Sequence, residues 1–466
     1  MTGDVAAGER RGRESAGEPL PRRWTVLGVV AIALLMASVD QTIVSTALSS
    51  LQHDLDAPVN WSTWTITVYS LGQILAMPLA GRLSDQYGRK RIFLSAVVIF
   101  TAASLCCGLA NNIYELVVLR AVQSLGGGAF LPSATGIVSD HFGRDRDRAI
   151  GLFTSIFPIG GMIGPVLGGV FVTYWSWRGI FLINIPLGIA LVVLGAALLP
   201  QGETRARGRV DFTGVVFVIV GLLGLMLGIS SLGSRGVQPL TVVVPILVGL
   251  GALVLFWWHS SGIDNPFLPP RLIARRDFAV VNLINVLSGA VTVGFGALIP
   301  LYAVNRYGLS VLTSGTLLTA RAVGTIVVAG VAAFALRRTG YRWPMRVGFA
   351  ITATGILMLS VQARGMSPEL WLTGWAALTG IGMGISIPAN NNAGLELEPQ
   401  SAAAISGIRG MARQVGGITG VSVISAVSAA SADPGMAQAR AFGVLGVILI
   451  CVIPLVGLIP EKRGIW

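Results

Sequence analysis

Long apolar runs separated by short polar breaks set the pattern of this chain. Fourteen of them approach or exceed the ~20 residues a helix needs to cross a hydrocarbon layer. The first six cover 24–48, 61–80, 92–110, 112–138, 149–173 and 180–199. Two more cover 211–231 and 239–258, and the last six cover 278–304, 313–336, 344–362, 369–394, 402–429 and 437–459. The pattern predicts an all-α integral membrane protein with 14 transmembrane helices. Two long polar breaks, "QGETRARGRVDF" and "HSSGIDNPFLPPRLIARRDF", divide the runs into six, two and six. The expected organisation is a cytoplasmic tail over 1–23, a six-helix bundle over 24–199, two inserted helices with basic linkers over 200–277, and a second six-helix bundle over 278–460. Internal repeats of this kind are common in secondary transporters. A weak echo supports the repeat: "GRLSDQYGRKR" follows the second run of the first bundle, and "FALRRTGYRW" follows the second run of the last.

Composition agrees. Hydrophobic residues make up 53% of the 466 and charged residues only 12%, against about 25% charged in soluble domains. Mean hydropathy is +0.74. The net charge of +12 sits in short arginine clusters between apolar runs, not on one face of a soluble domain, so it points to topology and away from nucleic acid. With the N-terminus inside, twenty-four Lys and Arg fall in inside segments, while outside segments carry only Arg178, Arg235, Arg306, Arg364 and Arg440. The positive-inside rule therefore puts both termini in the cytoplasm. Trp61 and Trp64 open the second run at the outer interface.

Cys106, Cys107 and Cys451 lie inside apolar runs, and His53, His141 and His259 lie near separate loops. No metal spacing, disulfide framework, nucleophile constellation or phosphate-binding loop follows from them. No cofactor, metal ligand or enzymatic activity is expected. The polar N-terminal stretch has no cleavage site after a short apolar region, so the first run is expected to act as an uncleaved anchor.

The most specific short stretch is "GRLSDQYGRKRIFL", residues 81–94. Gly81 and Gly88 allow close helix approach and a tight turn. Asp85 lies among Arg82, Arg89, Lys90 and Arg91. A loop that only sets topology needs the positives but not the acid or the glycine spacing. The physical reading is a cytoplasmic latch in which Asp85 pairs with a base or a neighbouring helix end in one conformation and releases it in another.

These residues resemble the loop signature of the major facilitator superfamily, Gly-x-Leu-x-Asp-x-x-Gly-Arg-Lys/Arg. "VDQTIVSTAL" resembles the first-helix signature of its fourteen-span drug:proton antiporter branch, "LRAVQSLGGGAF" a fourth-helix motif built around an arginine, and "GGMIGPVLGG" the fifth-helix motif of the antiporters. "WSWRGIFLINIPLG" and "ARQVGGITG" look like further features of that branch. The resemblance implies the major facilitator fold, two pseudo-symmetric six-helix bundles plus two inserted helices. Ser45, Ser49 and Ser124 depart from it, standing where Asn, Pro and Gly are usual, and these departures bear on helix geometry near the substrate path. Gly160, Gly164 and Gly168 recur every four residues, with Gly161, Pro165 and Gly169 beside them. Close packing explains such spacing; the resemblance implies in addition that this helix seals or hinges the bundles. The glycines of Gly380–Gly384 and Gly416–Gly420 need only packing.

Asp40 is the one deep acid. It lies eight residues before the outer end of the first run, ~12 Å down, and Arg120 lies eight residues into the antiparallel fourth run, at the same ~12 Å. Neither tolerates lipid. A static buried ion pair is one reading. The other is proton coupling, which the resemblance favours: separating the pair leaves a lone buried carboxylate, which takes up a proton. Arg321, Arg409 and Arg413 are the other intramembrane arginines. Arg413, four residues from Arg409 on one helix face, can reach a central cavity or, like Arg409, cap carbonyls near the cytoplasmic end. Gln123, Arg321 and Arg413 are the candidate cavity residues, with Asn282, Asn285 and Asn390 to Asn392 as further polar contacts. Four such arginines against one deep acid favour neutral, zwitterionic or anionic amphiphiles over strong cations. The expected function is proton-coupled multidrug-type export of amphipathic small molecules across the plasma membrane, of a bacterial inner-membrane type. The alternatives are a dedicated exporter of an endogenous metabolite, lipid, antibiotic or siderophore, and a non-transporting sensor or scaffold.

Overall fold

The structure is a computed structural model that describes residues 20–461 apart from 58, 155, 202–210, 232–237, 264–265, 267–269, 310, 364, 398–401, 430 and 460. Most of the tail over 1–23 and most of the first basic linker lie outside the described residues. The apolar runs become helices because a backbone surrounded by hydrocarbon must bond to itself. In chain order they are α1 Leu20–Asp54, α2 Val59–Tyr87, α3 Arg89–Leu109, α4 Ile113–His141, α5 Arg146–Thr154, α6 Ile156–Tyr174, α7 Gly179–Leu182, α8 Asn184–Leu198, α9 Phe212–Ser231 and α10 Pro239–Ser261. Then follow α11 Pro270–Ile273, α12 Arg276–Tyr307, α13 Val311–Thr339, α14 Arg342–Ser360, α15 Pro368–Leu395, α16 Ala402–Ala429 and α17 Pro434–Leu455. Among the described residues no strand forms.

Local chemistry sets the ends. Asn112 caps α4 by accepting the Glu115 N–H at 2.8 Å, and Asp433 caps α17 by accepting the Met436 N–H at 2.9 Å, with Pro434 at the first helical position. Gly88, Gly308 and Gly340 have φ of 100°, 64° and 70° at the breaks after α2, α12 and α13, where a side chain is strained. Several helices outrun their apolar cores: α1 has 35 residues and α12 has 32, so each is about 50 Å long against a hydrocarbon layer of about 30 Å.

Among the described residues, eleven helical stretches are long and apolar enough to cross a membrane. α2, α14 and α16 are not among them, although each is long. α14 opens with Arg342 and Arg346, which lower its mean hydropathy. α2 and α16 pack on each other, and their faces carry small and polar residues that let backbones touch. A Cβ built on Gly81 of α2 would lie 2.5 Å from the Ala403 carbonyl oxygen of α16. The outside of the molecule is apolar instead: Leu109, Val118, Val193, Leu240, Val254 and Trp258 are each more than half exposed. Polar groups such as Asp40, Arg120, Gln123 and Asn184 are buried, the distribution expected of a chain solvated by lipid.

Within 20–198, α1 packs on α6, and α4 on α2 and α3; within 276–459, α12 packs on α16, and α15 on α13 and α14. The two sets meet where α16 lies against α2 and α4, and where α5 lies against α13 and α15. α9 and α10 pack mainly on each other, with α9 touching α16 and α2. The assembly has a basic end, near Gly88, Phe142 and Gly340, and an opposite end, near Asp54, Ala110 and Trp177. At the opposite end Trp177 Nε1 donates to Asp54 at 2.8 Å and Arg178 donates to the Ala110 carbonyl at 3.0 Å.

Candidate functional site

Asp40 and Arg120 meet directly. Arg120 Nη1 lies 2.6 Å from Asp40 Oδ2, and neither side chain has any exposed surface. The membrane-crossing stretch of α1 ends at Leu48, as its apolar run predicts, although the helix itself continues to Asp54, and α1 and α4 are in register at this level. Asp40 Oδ1 accepts two more bonds, from Gln123 Nε2 and Asn184 Nδ2, each at 3.0 Å. Ser104 Oγ accepts from the same two amides at 3.0 and 2.9 Å. Arg120 also donates to Gln123 Oε1 at 2.7 Å and to the Thr65 carbonyl at 3.2 Å, and it lies 3.9 Å above the centre of the Tyr69 ring. Five helices, α1 to α4 and α8, thus contribute to one buried polar cluster around the carboxylate. Removing one partner from such a buried pair costs about 3–5 kcal/mol, because the other charge is stranded.

The sequence alone does not single out Asn184 and Ser104. The signal existed, a lone amide in "FLINIPLG" and a lone hydroxyl in "AASLCC", but only the fold brings both to Asp40. Gln123 was expected in the cavity and is instead part of this cluster, because the α4 positions three apart, 120 and 123, face α1 together.

A central cavity of about 190 Å³ lies between the two sets of helices. Gln73, Asn285, Asn390, Asn391, Arg321, Arg409, Arg413 and Gln414 supply its polar wall. Asn390 Nδ2 donates to Asn285 Oδ1 at 3.0 Å. Asn392 is not on the wall; it donates to the Asp147 and Pro388 carbonyls at 3.0 Å. Asn282 donates to the Phe278 carbonyl, also at 3.0 Å. Arg409 caps carbonyls, with its two terminal nitrogens on Asn390 and Asn391 near the end of α15. Tyr69, one turn from Gln73 on α2, stands between the Asp40 cluster and the cavity. A wider groove of about 760 Å³ opens between α6 and α13, and Phe157, Arg321 and Met383 line both spaces.

The glycine stripe of α6 divides between two jobs. Gly160, Gly164 and Gly168 face α1, where added Cβ atoms would meet Ser38, Thr42 and Thr46. Gly161 and Gly169 have nothing within 4 Å and border the groove. The four-residue stripe is therefore packing within one set of helices, and only its flanking glycines face the gap. Pro165 lies within α6, and its side chain lies outside the described residues.

The basic end is shut by contacts between the sets. Asp85 Oδ2 accepts the Ala404 N–H at 3.1 Å, one of the free donors at the start of α16, while Asp85 Oδ1 lies 3.2 Å from Arg89 Nη2. Arg89 also reaches Asp140 at 2.7 Å and the Gly136 carbonyl. Burial raises the Asp85 carboxyl above its ordinary value, against the opposing pull of Arg89 and the Ala404 N–H. Lys90 takes no part: its Nζ caps the end of α8, 2.7 and 2.6 Å from the carbonyls of Ala196 and Leu199. A second set of ties joins the two sets of helices at the same end. Arg146 pairs with Glu396, and Tyr341 Oη donates to Asp147. Burial, and then Asp147, push the Tyr341 phenol far above its ordinary value. Ser406 Oγ donates to Thr135 Oγ1 at 3.0 Å.

The chain matches the family profile of the Major Facilitator Superfamily over residues 30–421 and, overlapping, 281–463. It is 30% identical over 377 residues to the multidrug transporter protein MdtP of Bacillus subtilis strain 168, covering 80% of this chain and 69% of that one. It is 31% identical over 400 residues to the cephamycin export protein CmcT of Amycolatopsis lactamdurans, covering 84% and 82%. Among solved structures, the human organic anion transporter MFSD10 (TETRAN) superposes with a TM-score of 0.70 at 15% identity, covering 94% of this chain and 100% of that one. That likeness establishes the all-helical fold of the superfamily.

Proposed function

We propose that this chain, which belongs to the Major Facilitator Superfamily, is a proton-coupled exporter of amphipathic small molecules that works by alternating access across a bacterial plasma membrane. The observation that carries the reading is the Asp40–Arg120 pair, a charge couple with no exposed surface, held by Gln123, Asn184 and Ser104 beside a cavity between two sets of helices. A chain that needed only a stable core gains little from such a pair, since apolar packing of equal volume is as stable or more so.

The basic end is the cytoplasmic end by the positive-inside rule, with both termini there. Its closure by the ties Asp85–Ala404, Arg146–Glu396 and Tyr341–Asp147 is what an outward-facing conformation requires. Counting α2, α14 and α16 with the eleven apolar stretches gives fourteen spans. A proton arriving from outside adds to an Asp40 oxygen and turns the ion pair into a neutral acid beside an arginine. Arg120 keeps its bonds to Gln123 and Thr65, and α1 is freed to shift against α4. The ties at the basic end then open, Asp40 releases its proton to the cytoplasm, re-pairs with Arg120, and the next substrate leaves on the return stroke. The names of the relatives, multidrug transporter and cephamycin export protein, support export over uptake. The second of them favours, as an alternative, a dedicated exporter of one compound class.

Proton release from acidified inside-out vesicles, on addition of a panel of dyes, antibiotics and lipids, tests the reading. Substrate-triggered release is expected in the wild type and absent in Asp40→Asn. Equal release in both removes Asp40 from the coupling. Silence across the panel in folded protein turns the assignment toward a dedicated substrate or a non-transport role.

A further inference from the structure

We infer that the central cavity takes an amphipathic monoanion, its head held by Arg413 with Arg321 and its apolar tail lying in the groove between α6 and α13. This rests on the export reading above and adds the charge class of the substrate. Among the described residues, three arginines line the cavity and no Asp or Glu does. Asp40 does not supply the missing negative charge, because Arg120 already balances it inside a separate buried cluster. Arg409 is occupied by the carbonyls of Asn390 and Asn391. Arg321 spends one nitrogen on the Thr292 carbonyl at 2.5 Å and on Met383 Sδ at 3.1 Å, and a thioether is a weak acceptor. Among the described residues the Arg413 guanidinium has neither a hydrogen-bond nor an ion-pair partner. A guanidinium that faces a cavity without a protein acceptor is an open anion site, and a carboxylate or sulfonate matches its fork. A cationic ligand would be repelled by the same three charges.

Size decides where the rest of the ligand goes. The cavity, at about 190 Å³, is smaller than the 300–1,000 Å³ typical of drug-sized sites. The adjoining groove has about 760 Å³ and shares Phe157, Arg321 and Met383 with the cavity. Beyond that neck its wall is apolar at Met162, Val166 and Val170. Arg321 therefore stands at the junction of a polar head site and an apolar tail site.

The test uses the full chain in lipid nanodiscs and three probes with the same dansyl-labelled eleven-carbon tail, ending in a carboxylate, a methyl ester or a primary amine. Dansyl fluorescence reads binding, and pH-gradient-driven movement in proteoliposomes reads transport. The carboxylate is expected to bind at least about tenfold tighter than the amine. Arg413→Gln is expected to abolish that preference while leaving amine binding intact, which also reports a folded protein, and Arg413→Lys is expected to keep part of it. Gly169→Trp, which fills the groove, is expected to weaken the long-tailed carboxylate and spare dansylglycine. Equal or tighter amine binding in the wild type, equal weakening of all three probes by Arg413→Gln, or no binding of any probe overturns the inference. Insensitivity of the long-tailed carboxylate to Gly169→Trp overturns the tail assignment. Carboxylate binding that depends on Arg413, without transport of any probe, upholds the inference and sinks the export reading. Gradient-driven transport of the amine alone does the reverse.

Discussion

Asp40 on α1 and Asn184 at the start of α8 lie 144 positions apart and share a hydrogen bond of 3.0 Å, buried beside the Arg120 guanidinium. Asn184 donates to the carboxylate from α8, beside the two donors Arg120 and Gln123 on α4. It therefore ties the position of α8 to the charge state of Asp40. Asn184→Leu removes one donor to a buried anion, a loss of about 1–3 kcal/mol. Gradient-driven transport is expected to fall about tenfold with a shifted pH profile, while binding of substrate in nanodiscs is unchanged. An unchanged pH profile would confine Asn184 to packing.

Arg120→Gln should be worse than Arg120→Lys. Glutamine strands the Asp40 charge, whereas lysine keeps a cation but loses the simultaneous bonds to Asp40, Gln123 and Thr65. Exchange without net proton movement is expected to survive in the lysine variant, with coupled transport reduced at least about tenfold. Thermal melting in detergent, read by tryptophan fluorescence, should drop further for the glutamine variant.

The latch at Asp85 carries a pH dependence. Its carboxyl is raised by burial in the closed conformation, and in an open conformation water restores the ordinary value. The closed state thus binds its proton more tightly, so acidification on that side stabilises closure. The gain grows as pH falls from the raised value to the ordinary carboxylate range, is complete below that range, and is lost as pH rises through the raised value. Spin labels on the ends of α2 and α16 should report more of the short distance at low pH in the wild type. Asp85→Asn, fixed as the neutral form, should abolish the dependence.

Tyr341→Phe removes the donor to Asp147 and leaves a buried carboxylate with one fewer partner. The basic end is expected to open more often, read as faster labelling of a cysteine placed at Ala404, with fold stability within about 1–2 kcal/mol of wild type. No change in labelling would assign closure to the Asp85 latch alone.

Gly164→Ala and Gly161→Ala should separate packing from the gap. A methyl at Gly164 meets Thr42 and the Val39 carbonyl on α1, and one at Gly161 meets nothing within 4 Å. The first is expected to destabilise by about 1–3 kcal/mol, and the second to remain within about 0.5 kcal/mol of wild type. Equal effects in thermal melts would contradict the division of the α6 face.

Much of the fold was legible because a bilayer leaves the backbone few choices. Periods of about twenty apolar residues marked the helices, and the placement of arginines marked which breaks share an end. A lone acid and a lone arginine at matching depth marked Asp40 and Arg120. Helix ends were less legible: α1 and α12 run on past their apolar cores, because nothing in water forces a helix to stop where lipid does.

What the sequence determined by itself was therefore local or one-dimensional: where helices run, which ends are basic, and which side chains cannot face lipid. Tertiary structure alone decided the partners. It put Gln123 beside Asp40 instead of in the cavity, Lys90 on the end of α8 instead of in the latch, and Arg413 against open cavity space. It also supplied Tyr341 and Asp147, 194 positions apart, as a tie between the two sets of helices. The physical reason is that a polar group's depth follows from counting along one helix, whereas its partner depends on how several helices rotate and cross, and packing between helices sets that rotation.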